Sequence, residues 1–391
     1  MQDQFNMEIS PCAAESNDTH YDFLSQKYRT GSIYVGIITG VLVLLMLLFG
    51  YKEFTYENVF FFIKDFDMVI SSGNYDIDHI EYGTGENRKY YSYRGGVVTA
   101  GKYDISVYSS TGRKTATFND EFVAPNICSS SKYILAYDTD GKTFSVYNSF
   151  LRLYSETMDE GIEDAYTNDR GDFLIHTSTP EYKSVVYHYD NDFKRIAAYY
   201  FVDYVIDSFI SADGKFIYIA TVNVENGNYV SSVNVYKAGA DKIVGQYNVQ
   251  GAVSLGVFEI DSGCCILTDR AVLALNESAE TLWKVELDEN STPYMYASSN
   301  KGLVLATKDN GLMFVSPKGE KKTVPIKGNP IAVDVHDMSA YILYDGTVIK
   351  HDFSKNSMIT RECPPEADDI LILSDGVVYL CYSTRAICCE F

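Results

Sequence analysis

Basic residues are scarce. The 391-residue chain sets 32 lysines and arginines against 53 aspartates and glutamates, a formal net charge of −21. Phosphate binding needs clustered cations, and no basic stripe occurs, so nucleic acid is excluded as a partner. Tryptophan occurs once, at Trp283. The six histidines (His20, His79, His176, His188, His336 and His351) are scattered. None neighbours a serine or cysteine in a nucleophile motif, and there is no G-x-S-x-G elbow. No cysteine pair has zinc-ligand spacing with a histidine partner. Local spacing therefore offers no catalytic residue, no metal ligand and no cofactor ligand.

A disulfide framework is also missing. Seven of the eight cysteines (Cys128, Cys264, Cys265, Cys363, Cys381, Cys388 and Cys389) lie beyond residue 51, an odd number without framework spacing. Cys264-Cys265 begins an apolar run and Cys388-Cys389 ends one. Neighbours on a strand point to opposite faces, so these pairs read as small core residues rather than as a vicinal disulfide.

Apolar residues make up 46% of the chain, enough for a large core. The 33 tyrosines favour strands. Residues 31–51, "GSIYVGIITGVLVLLMLLFGY", form 21 positions without a charge. As a helix they span roughly 32 Å, enough for a hydrocarbon core of about 30 Å. This predicts one uncleaved transmembrane helix after a short disordered cytoplasmic tail, residues 1–30. Lysine and arginine do not fix the orientation, because Lys27 and Arg29 on one side balance Lys52 and Lys64 on the other. A polar, tyrosine-rich large part favours the tail inside and the C-terminal domain outside the cell membrane. Residues 52–72 read as a juxtamembrane segment that hands over to a strand.

From about Tyr75 onward, apolar runs of four to seven residues alternate with Gly, Asp, Asn and Ser clusters, the pattern of an all-β chain. "GVVTA" (Val97), "KYILAY" (Tyr133), "DFLIHT" (Phe173), "KFIYIAT" (Phe216), "GCCILT" (Cys264), "GLVLAT" (Leu303), "AYILY" (Tyr341) and "GVVYLCY" (Val377) follow one another. The steps are 36, 40, 43, 48, 39, 38 and 36 residues. Eight copies with a period near 40 predict a β-propeller of eight four-stranded blades over residues 73–391. Seven blades with an odd module is the alternative. The last repeat lacks its outermost strand, and "DFDMVISS" (65–72) is expected to supply it from the N-terminal side, closing the ring.

"RAVLALNESAETLWKVEL" (270–287) resembles the blade motif of quinoprotein-like and WD40-like propellers, with Trp283 at the position of their blade-docking tryptophan. The layout from "YENVFFFIKDFDMVISSGNYDID" through "RKYYSYRGGVV" also resembles a family of single-pass membrane propellers of Gram-positive anaerobes, known only as a domain of unknown function. That resemblance implies a fold and a placement, and no activity.

"SADGKFIYIAT" (211–221) and "DTDGKT" (138–143) pose a choice between calcium loop and turn. Counted from Asp138, the twelfth position is Ser149, where a calcium loop needs a bidentate glutamate, so the turn reading is taken. "FNDEF" (118–122) reads as a polar loop between blades. The expected function is a membrane-anchored extracytoplasmic binding or scaffolding module for a protein, peptide or glycan partner. The alternative is a glycan-active or quinoprotein-like enzyme, revealed by carboxylates or histidines converging at the channel mouth.

Overall fold

The computed structural model describes residues 28–41, 43, 79–82, 88–109, 112–261 and 263–391. The chain divides into two units, residues 1–73 and 74–391. In the first, residues 28–41 are helical, and the apolar side chains Ile33, Val35, Ile37, Ile38 and Val41 are exposed. Among the described residues no helix is long and apolar enough to cross a membrane. The predicted span 31–51 runs beyond them.

In the second unit, eight antiparallel four-stranded sheets follow one another. Blades 1 to 7 are continuous in sequence: 89–119, 125–157, 162–201, 204–250, 254–286, 293–325 and 332–362. Blade 8 takes three strands from the C-terminal end, Asp369–Ser374, Val377–Cys381 and Arg385–Glu390. Its outermost strand is His79–Glu81, with Ile80 opposite Ala386. The eight blades and the N-terminal closure are thus as expected, but the closing strand is not "DFDMVISS". Residues 65–72 lie outside the described residues, and the closing position is filled by three later residues. One apolar side chain anchors them: Ile80 is 1% exposed.

The first strands of successive blades lie side by side around the axis, and blade 8 meets blade 1. Second strands are covered on both faces, so every residue of Gly96–Ala100, Ile134–Asp138, Phe173–Thr177 and Gly263–Thr268 is buried. Outermost strands alternate or are exposed throughout, as in Ser357–Glu362. The core is therefore eight apolar slabs, one between each pair of neighbouring blades. Burial of these slabs is the main force holding the ring together.

The meander gives the disc two faces. Turns from first to second and from third to fourth strands share one, here termed the turn face. The other, the crossover face, carries second-to-third turns and the links between blades. Blade 4 is elongated: Phe216–Glu225 and Asn228–Lys237 form a ten-residue hairpin reversed by Asn226 and Gly227, both at positive φ.

Candidate functional site

The innermost strand of each blade has one free edge, facing the channel. Its N–H groups lack a strand partner there, and a buried N–H needs an acceptor. Side chains of the same strands supply it. Asp164, Asp207, Asp334 and Asp369 each accept the N–H of the following residue at 2.7–2.8 Å, and Asn126 does so at 3.0 Å. Several groups also bridge blades. Asp207 accepts the Val257 N–H at 2.9 Å. Asn126 donates to the Tyr137 hydroxyl, which donates to Asp164, both at 2.8 Å. Tyr296 donates to the Leu255 carbonyl at 2.6 Å.

Carboxylates do converge on the channel. Tyr91 is 41% exposed, yet burial pushes its phenol up to about 12, helped by Cys128, Asp334, Asp164 and Asp207. Burial likewise pushes Asp207 up to about 7 and Asp334 up to about 6. These acids are clips for backbone N–H groups. Among the described residues no group of three or more His, Cys, Asp or Glu side chains is placed to hold a metal ion.

A larger feature opens on the turn face, where blades 4, 5 and 6 meet. It is a cavity of about 660 Å³. Ser211 to Asp213, Asp261, Gly263, Ser299 and Asn300, all in turns, form its rim, with Glu277 from blade 5. Phe209, Tyr218 and Phe258 form its walls. Phe209 and Tyr218 stack at 4.8 Å. Glu259 reaches across from blade 5 and accepts the Ala212 N–H of blade 4 at 2.6 Å. Burial, then Asp213 and Asp261, raise its pKa. Asp213 is held down at about 2, mainly by the Lys215 ammonium 2.6 Å away. Gly263 has φ +147, and a Cβ there would run into the Leu275 carbonyl, so only glycine fits this edge of the rim. A second cavity of about 300 Å³ on the same face involves Tyr91, Arg94, Ser130 and Leu373 of blades 8, 1 and 2.

The stretch 211–221 is the turn the sequence suggested. Gly214 N–H bonds the Ser211 carbonyl at 2.8 Å, and Ser211 Oγ accepts the Phe216 N–H at 3.0 Å. It also forms the rim of the large cavity, which the sequence did not show. In "DTDGKT" the Asp138 carboxylate accepts the Val123 and Ala124 N–H groups, tying blade 2 to the incoming chain. Asp120 of "FNDEF" accepts the hydroxyls of Tyr147 and Ser145 in the link between blades 1 and 2.

Cys264 and Cys265 face different slabs, as do Cys388 and Cys389. All seven described cysteines are free thiols. His176 and His336 lie in strands. His176 Nε2 is 3.3 Å from Glu163, and burial lowers its pKa.

Trp283 docks blade 5 on blade 6. Its indole N–H donates to the Pro317 carbonyl at 2.8 Å, and its ring covers Gly319. The equivalent position, beside the bulge of the outermost strand, holds Ala116, Tyr154, Ala197 and Gly245 in blades 1 to 4. Tyr154 stacks on Phe193 of the next blade's turn at 5.3 Å. At Gly245 the Ser278 backbone itself occupies the space.

These features define an eight-bladed β-propeller with four-stranded blades. The chain belongs to a family of unknown function, DUF5711, which matches residues 73–350. No curated protein matches it in sequence. Among solved structures it is similar to BamB from Moraxella catarrhalis, with 10% identity and a TM-score of 0.56. That match covers 81% of this chain and 97% of the other. The Neurospora crassa Pan2 WD40 domain aligns at 12% identity and a TM-score of 0.48, over 68% of this chain and 88% of its own. At such identities the likeness concerns the fold.

Proposed function

We propose that this protein is a binding propeller, anchored to the cell membrane by residues 31–51, that docks a protein or peptide partner on its turn face outside the cytoplasm. The cavity of about 660 Å³ between blades 4, 5 and 6 carries the reading. It lies within the usual size of ligand sites, is walled by aromatic rings and is rimmed by polar turns on a rigid ring. The exposed apolar side chains of residues 28–41 support the anchor.

A photo-crosslinking residue at Asn300, on the rim, and another at Lys321, on an outermost strand, test this in cells making the full chain. A discrete adduct from position 300 alone is expected. Equal labelling from both positions, or none from either, overturns the reading.

The enzyme alternative draws support from Asp207 and Asp334, which sit in the channel with pKa values of about 7 and about 6, near the range of a general acid or base. A turnover screen on glycan substrates with Asp207→Asn as the control tests it. Activity equal in both proteins would remove the channel site.

A further inference from the structure

The walls and rim of the turn-face cavity point to the chemistry of its occupant. Tyr218 is 1% exposed, its ring clamped against Phe209, and among the described residues its hydroxyl has no hydrogen-bond partner. Tyr218 lines the cavity with Glu259, Glu277 and Asp213, whose charges act on its hydroxyl. That hydroxyl can donate to or accept from an occupant of the cavity. Asp213 is neutralised by Lys215. Among the described residues no cation lies within ion-pair distance of Glu259, Asp261 or Glu277. Only one Glu259 oxygen is used, by the Ala212 N–H.

A single metal ion does not fit, because these acids are not grouped around one point. At about 30 Å³ per water, 660 Å³ holds on the order of 20 waters, room for a short peptide segment. Aromatic faces next to unpaired carboxylates suit an alkyl stem ending in a positive charge.

We infer that the cavity takes a lysine or arginine side chain from a basic peptide segment of a partner protein, its charge held by Glu259 and Glu277 and one donor N–H by the Tyr218 hydroxyl. This rests on the binding reading above and names its ligand.

The test uses the purified full chain and three fluorescent peptides of equal length: alternating arginine and glycine, alternating glutamate and glycine, and glycine and serine. Fluorescence anisotropy reads binding at low and moderate salt. The arginine peptide alone should bind. Glu259→Gln and Glu277→Gln should each weaken it about tenfold. Tyr218→Phe removes only an unmatched hydroxyl, so the fold is kept, and should weaken binding several-fold. Glu225→Gln, the same charge change on the crossover face, should leave binding within twofold.

If Glu225→Gln weakens binding as much as the cavity variants, the attraction is diffuse and the inference is overturned. Tighter binding of spermidine than of the peptide overturns the peptide assignment. If the arginine peptide fails while Asn300 still gives its discrete adduct, the cationic ligand is wrong and the binding reading stands. If both fail, both are overturned.

Discussion

Asp207 on blade 4 accepts the Val257 N–H of blade 5 at 2.9 Å, while its other oxygen accepts the Ser208 N–H at 2.8 Å. Burial still outweighs these two bonds, and the carboxyl titrates near 7. The fold therefore favours its protonated form. The stability this provides is complete below the unfolded value of ~3.9 and is lost as pH rises through about 7. Asp334, at about 6, acts in the same direction. Thermal unfolding between pH 4 and 8 should show a Tm that falls by several degrees. Asp207→Asn should flatten that slope whatever its absolute Tm. An unchanged slope would refute the assignment.

Trp283 is the only tryptophan, so its fluorescence reports the docking of blade 5 on blade 6. Trp283→Ala should cost about 3 kcal/mol in urea unfolding, and Trp283→Phe, which loses mainly the bond to Pro317, about 1 kcal/mol. Equal losses would mean that the ring contributes no packing.

Ring closure depends on little chain. Tyr82 donates to the carbonyls of Tyr382 and Arg385 at 2.7 and 2.6 Å. Tyr82→Phe should cost about 1 kcal/mol. Ile80→Asp places a charge in the slab between blades 8 and 1 and should lower stability by more than 3 kcal/mol. Size-exclusion chromatography should then show aggregation through the opened edge. A monodisperse Ile80→Asp protein of normal Tm would show that closure is dispensable.

Burial pushes Cys265 up to about 12 and Cys264 upward as well. Neither should react with a thiol reagent at pH 8 until the protein unfolds, whereas among the seven described cysteines the half-buried Cys363 should be modified first. Mass spectrometry of partly labelled protein reads the order. Early modification of Cys264 or Cys265 would contradict their place in the core.

The repeat was legible because second strands are buried on both faces and so read as apolar runs at a fixed period. Trp283 was legible because it fills its docking space with its own ring. Gly245 was not, since the Ser278 backbone fills the equivalent space. The closing strand was misplaced because "DFDMVISS" is longer and more apolar than "HIE", while the ring asks for one buried isoleucine and three paired residues. The cavity was invisible for another reason. Tyr218, Glu259 and Asn300 come from three blades, and their proximity is set by the curvature of the ring, which no local pattern records.

Blade 8 joins residues 79–81 to strands that end at residue 390. A chain growing on the ribosome can complete seven blades and still lack the two slabs on either side of blade 8 until residues 369–390 are made. A ring without residues 369–390 thus carries an open seam of unpaired strand and apolar surface. Closure of the disc waits for residues 369–390, and a protease or chaperone that recognises such seams can tell closed rings from open ones without reading their sequence.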